Sequence, residues 1–113
     1  MHEMAITRSM LDLVLKEAEK AKASKVIKVS IVLGKMTGVV DDCVQAYFDI
    51  MSKDTPADGA ALYFQNIPVQ ARCRKCGHVF SPENFYWSCP ECQAFEVEIM
   101  AGKELYIESI EVE

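Results

Sequence analysis

Cys73-Arg74-Lys75-Cys76-Gly77 and, with twelve residues between Cys76 and Cys89, Cys89-Pro90-Glu91-Cys92 decide how this chain is read. Each Cys-x-x-Cys pair suits a knuckle whose two thiolates converge on one metal. Four thiolates make the tetrahedral set preferred by Zn²⁺, with Zn–S bonds of about 2.3 Å. Gly77 fits the tight turn after the first pair, and Pro90 stiffens the second. Two disulfides, a redox pair or a rubredoxin-like iron centre are the alternatives, and iron shares the tetrahedral geometry. With all four positions supplied by protein, no water is left to activate, so the site reads as structural rather than hydrolytic.

The apolar residues around these cysteines are few: Val79, Phe80, Phe85, Tyr86 and Trp87. So small a core is expected to draw much of its folding free energy from the metal. His78 stands beside a complete thiolate set and reads as a bystander, or as a partner to a ligand rather than a ligand.

Toward the N-terminus, residues 4–22 hold no Gly or Pro, and Ile6, Met10, Leu11, Val14, Leu15, Ala18 and Ala21 recur at helical spacing. Ile27, Val29, Ile31 and Leu33 then alternate as in a strand that Gly34 and Gly38 close. Asp41-Asp42 open a second helix with Val44, Tyr47, Phe48, Ile50 and Met51 on its apolar side, ending near Lys53. Cys43 within it reads as a small buried hydrophobe. A turn-rich stretch at 54–59 leads to a strand from Ala61 to Ile67, which Pro68 ends or marks as an edge. After the cysteines, Phe95, Val97 and Ile99 alternate, Ala101-Gly102 turns, and Leu105 to Val112 form a last strand. The expected fold is α+β: two helices on a small mixed or antiparallel sheet, with an inserted zinc-ribbon-like lobe. The main lobe is placed at 1–67 and 103–113 and the zinc lobe at 68–102.

The 113 residues suffice for one domain and an appendage. A net charge of −5 argues against a general phosphate-backbone binder. No segment approaches the roughly 18 apolar residues of a membrane span. Met1-His2-Glu3-Met4 lacks the cationic start of a signal peptide. A cytoplasmic protein is expected, where paired cysteines favour metal over disulfides.

Met1-His2-Glu3 offers a second metal site. A free α-amine on Met1, the amide nitrogen and imidazole of His2, and the amide of Glu3 make a nitrogen-rich chelate with five- and six-membered rings. Square-planar nitrogen coordination suits Ni²⁺ or Cu²⁺. If a helix starts here, its first N–H groups lack intrahelical partners, so deprotonating them breaks no helix bond.

An N-terminal Met1-His2-Glu3 leading into a helix, then a strand, a second helix, two Cys-x-x-Cys pairs with Gly77-His78 after the first, and a β-rich tail together resemble the HypA/HybF family of hydrogenase maturation factors. The resemblance spans essentially the full length. It implies a nickel metallochaperone, with Met1, His2 and Glu3 holding Ni²⁺ as cargo and Cys73, Cys76, Cys89 and Cys92 holding structural Zn²⁺. It implies a HypB-type GTPase and the large subunit of [NiFe]-hydrogenase as partners, with neither nucleic acid nor membrane, and a homodimer is compatible with it. Some relatives recruit an acidic residue after the first strand; here Asp41 and Asp42 occupy that neighbourhood and position 40 is Val.

The alternative reading is a zinc-ribbon nucleic-acid or protein-interaction module, with Arg72, Arg74, Lys75 and His78 beside aromatics that stack on bases. An enzyme is not expected: no Gly-rich phosphate loop is present, and His2 and His78 are the only histidines.

Overall fold

The computed structural model describes residues 2–82 and 87–113. The first helix, α1 (Glu3–Lys20), buries Met10, Leu11, Val14 and Ala18 at i, i+1, i+4 and i+8, the stripe the periodicity marked. Thr7 joins that stripe. Its hydroxyl donates to the Glu3 carbonyl at 2.6 Å, which lets a polar residue sit fully buried. Ala21 lies outside the helix and is exposed.

The strand β1 (Val26–Gly34) is central in a three-stranded sheet. It runs parallel to β2 (Ala61–Ile67) and antiparallel to β6 (Leu105–Val112). Between β1 and β2 lie a 3-10 turn at Lys35–Thr37 and the second helix, α2 (Asp41–Met51). Both helices pack through a shared core in which Phe48 and Val44 of α2 meet Leu11 and Val14 of α1 and Val26, Val29 and Ile31 of β1.

Three expectations need correction. Ile27 is 38% exposed, because Val26 pairs with Val112 and Lys28 with Glu111, leaving Ile27 as the extra residue of a bulge. The bulge shifts the alternation, so Val26 takes the inward place. On α2 only Val44 and Phe48, four residues apart, are fully buried. Cys43 and Ile50 lie off that line and are exposed, so Cys43 is not a core residue.

A second sheet of order β4-β3-β5 is inserted between β2 and β6. It comprises β3 (Gln70–Cys73), β4 (Val79–Phe80) and β5 (Val97–Ala101), with β3 antiparallel to both of the others. The molecule measures 56 × 24 × 16 Å with a radius of gyration of 17.7 Å. A spherical chain of this length would have about 13 Å, so the two sheets lie end to end.

Their junction is made mainly of backbone. The Gly34 N–H donates to the Glu104 carbonyl (2.7 Å) and the Met36 N–H to the Gly102 carbonyl (2.8 Å). The Gly102 N–H donates to the Glu104 carboxylate (2.9 Å). Gly34 has no room for a Cβ, which would land on the Gly102 carbonyl. No helix among the described residues is long and apolar enough to cross a membrane.

Candidate metal centres

The four cysteines come from two copies of one local structure. In the first, the Cys73 N–H donates to the His78 carbonyl and the Gly77 N–H to the Cys73 carbonyl, each at 2.9 Å. In the second, the Cys89 N–H donates to Ala94 (2.9 Å) and the Gln93 N–H to Cys89 (2.8 Å). The fifth residue of each knuckle has a positive φ: 80° at Gly77 and 62° at Gln93. Gly77 adopts this without strain, whereas Gln93 carries a left-handed conformation costing roughly 1 kcal/mol. The repeat of hydrogen bonds, not the residue type, marks Gln93. Counting four residues on from each leading cysteine would have found it.

All four Sγ atoms lie within 4.8 Å of one another, with Cys73–Cys92 at 3.5 Å and Cys76–Cys89 at 3.6 Å. Bonds of 2.3 Å to a tetrahedral metal put sulfurs about 3.8 Å apart, so the thiolates fit such an ion. Cys73 and Cys89 are buried, while Cys76 and Cys92 reach the surface. The N–H groups of Lys75 and Cys76 point at Cys73 Sγ (3.4 and 3.5 Å), and that of Glu91 at Cys89 Sγ (3.4 Å). These donors favour thiolate over thiol.

The electrostatics show why a cation belongs here. The Cys76 N–H, aided by that of Lys75, outweighs desolvation and brings Cys73 down to about 6. For Cys76 the backbone of His78 pulls downward, but desolvation and the sulfurs of Cys89, Cys92 and Cys73 push it up to about 12. Cys92 is raised as well: Ala94's backbone opposes the rise, and Cys73 with desolvation drives it. Without a metal, the first thiolate therefore suppresses the others. A divalent cation reverses that suppression and can collect all four.

His78 is not in the ligand group. Its ring stacks on Phe80, with centroids 6.0 Å apart and planes 7° from parallel. Arg72 and Arg74 both face Glu98, at 3.4 and 3.9 Å. Of the aromatics expected in this lobe, Phe80 and Trp87 are half-buried and Val79 beside them is exposed; Phe85 and Tyr86 lie outside the described residues.

The other candidate lies at the start of α1. His2 precedes the helix and is exposed; Met1 lies outside the described residues. The first intrahelical bond runs from the Ile6 N–H to the His2 carbonyl (2.9 Å), so the amides of His2 and Glu3 stand ahead of the helix ladder. The Glu3 carboxylate accepts from the Val40 N–H at 3.3 Å, tying this end of α1 to the approach to α2. Asp41 is turned to its own helix, accepting from the Asp42 N–H at 2.8 Å. Among the described residues, the cysteines are the only cluster of three or more His, Cys, Asp or Glu side chains close enough to share an ion.

An α+β frame carrying a four-thiolate ribbon defines a metal-binding protein. The family described as "Hydrogenase/urease nickel incorporation, metallochaperone, hypA" matches residues 1–112. Hydrogenase maturation factor HypA of Dehalococcoides mccartyi (strain ATCC BAA-2266 / KCTC 15142 / 195) is 47% identical over all of this chain and 95% of its own length. That of Caldanaerobacter subterraneus subsp. tengcongensis is 46% identical over the whole of both chains. The solution structure of the Ni metallochaperone HypA from Helicobacter pylori superposes with a TM-score of 0.65 at 26% identity, covering 99% of this chain and 97% of that one. The chain belongs to the HypA family of hydrogenase maturation factors.

Proposed function

We propose that this protein binds Ni²⁺ as cargo at its N-terminus and passes it to the large subunit of a [NiFe]-hydrogenase during maturation, in the cytoplasm and with a HypB-type GTPase. The ligands are the α-amine of Met1, the amide nitrogen and imidazole of His2, and the amide of Glu3. Zn²⁺ occupies Cys73, Cys76, Cys89 and Cys92 and holds the ribbon in shape. The nickel lobe comprises 1–67 and 103–113 and the zinc lobe 68–102. The protein acts by holding and releasing an ion, not by catalysing a reaction.

The observation that carries this reading is the place of His2. It is exposed, and the amides of His2 and Glu3 stand ahead of the first helix hydrogen bond. Among the described residues it belongs to no cluster of three or more His, Cys, Asp or Glu side chains, and the neighbouring backbone nitrogens are the donors that complete the set. Such a site is open, which favours transfer. Cu²⁺ would bind the same nitrogens more tightly, so selectivity rests on metal supply and partner docking. The pairing of Arg72 and Arg74 with Glu98 weighs against the nucleic-acid alternative.

His2→Ala is expected to abolish stoichiometric Ni²⁺ binding while leaving helix content and the metal at the cysteines unchanged. Unaltered Ni²⁺ affinity in that variant would refute the assignment.

A further inference from the structure

The first sheet ends at β6. Among the described residues, nothing pairs with its side away from β1, so an eight-residue strand keeps a row of backbone donors and acceptors open there. Packing between this strand and α1 is incomplete. Ala5, Ser9 and Leu13 of α1 join Leu105, Tyr106 and Ile107 around an open cavity of about 330 Å³. A second, of about 530 Å³, shares Leu13 and those three β6 residues and continues to Ile110. Together they run along β6 as one seam. Ala5 and Ser9 are too small to fill it. Leu13 and Tyr106, 56% and 53% exposed, are large apolar side chains left facing water beside an unpaired strand.

Charge selects the occupant. The two cavities have only two charged lining residues, Glu17 and Glu108. Glu17 meets Lys20 at 3.6 Å. Glu108, the extra residue of a bulge between the Ser109 and Ile107 pairings, has no ion-pair partner among the described residues. From Glu104 to Glu113 the strand and its ends carry four acids and no base. A second copy's β6 would set glutamates against glutamates, which is destabilising.

We propose that the α1–β6 seam is a docking slot for an extended segment of another protein, apolar at alternate positions and basic between them, which adds a fourth strand to the sheet. Its backbone pairs with the open edge of β6. Apolar side chains enter the seam beneath Leu13, and Lys or Arg between them meets Glu108, exposed where it lines the seam, and Glu111 beyond it. The slot is independent of the metal assignments.

The test is amide NMR of the full-length protein titrated with an acetylated and amidated eight-residue peptide of alternating Lys and Val, beside its Glu-Val counterpart. Saturable shifts and slowed hydrogen exchange along β6 are expected with the basic peptide, and binding at least tenfold weaker with the acidic one. Glu108→Lys should narrow that preference at least threefold. Leu13→Gln, at an exposed helix position, should weaken basic-peptide binding about tenfold with the melting temperature unchanged. No response of the β6 amides at millimolar peptide, or a preference indifferent to Glu108→Lys, would overturn the proposal. So would a concentration-dependent dimer protected along β6, which would make a second copy the occupant.

Discussion

Replacing Gly34 by Ala should loosen the junction between the sheets while sparing the thiolate site. Gly34 has φ −79° and ψ 138°, which Ala adopts freely, so the backbone itself adds no penalty. The obstacle is space: the new methyl would strike the Gly102 carbonyl and lie 2.6 Å from the Glu104 nitrogen. Both are backbone atoms, and no rotamer relieves them. The 102–104 segment must move, which disrupts the bonds from Gly34 to Glu104, from Met36 to Gly102, and from Gly102 to the Glu104 side chain. At about 1 kcal/mol each the loss is about 3 kcal/mol. That is a large share of the roughly 5–15 kcal/mol typical of a domain. For a chain of this size it lowers the melting temperature by about 12 °C. Urea and thermal unfolding, with metal content measured alongside, read the effect. Exposed Lys103→Ala serves as the control and should be neutral. A Gly34→Ala variant within about 0.5 kcal/mol of the parent would refute the steric reasoning.

Metal affinity at the cysteines should climb steeply with pH. Cys76 and Cys92, both raised, hold protons at neutrality that a metal must displace, whereas Cys73, at about 6, has largely lost its own. At least two displaced protons give a gain in affinity of about a hundredfold or more per pH unit near 7, and below pH 6 Cys73 adds another. Competition with a chelator of known pH dependence measures the slope, and a flat profile contradicts it. Cys73→Ala or Cys92→Ala should release the metal and expose 68–102 to protease, while the α1 and α2 circular dichroism persists. Gln93→Gly should keep the metal and stabilise the second knuckle by up to about 1 kcal/mol, seen as a higher chelator concentration for unfolding.

Much of the fold was legible because its signals are local. The stripe from Met10 to Ala18 obeys helical period, Ala61–Ile67 and Leu105–Val112 coincide with their strands, and two Cys-x-x-Cys pairs advertise a tetrahedral site. What stayed hidden depends on partners distant in sequence. Ile27 faces out because of how β1 registers against Val112 and Glu111, a fact carried by neither segment alone. Cys43 and Ile50 are exposed because α2 rests on a line only one residue wide, Val44 to Phe48. The strands at Gln70–Cys73 and Val79–Phe80 are too short for any periodicity to register. At the candidate nickel site, the sequence supplied the donors, and the contact from Val40 to the Glu3 carboxylate required the fold.

Nickel binding at the N-terminus is tested most directly by calorimetric Ni²⁺ titration of the protein with Met1 as its free terminus, beside a version carrying extra residues before Met1. The extension removes the α-amine from the chelate and leaves His2 and Glu3 in place. Stoichiometric binding that the extension abolishes or clearly weakens is the predicted result. Equal binding to both forms would move the nickel away from the N-terminal amine and contradict the assignment.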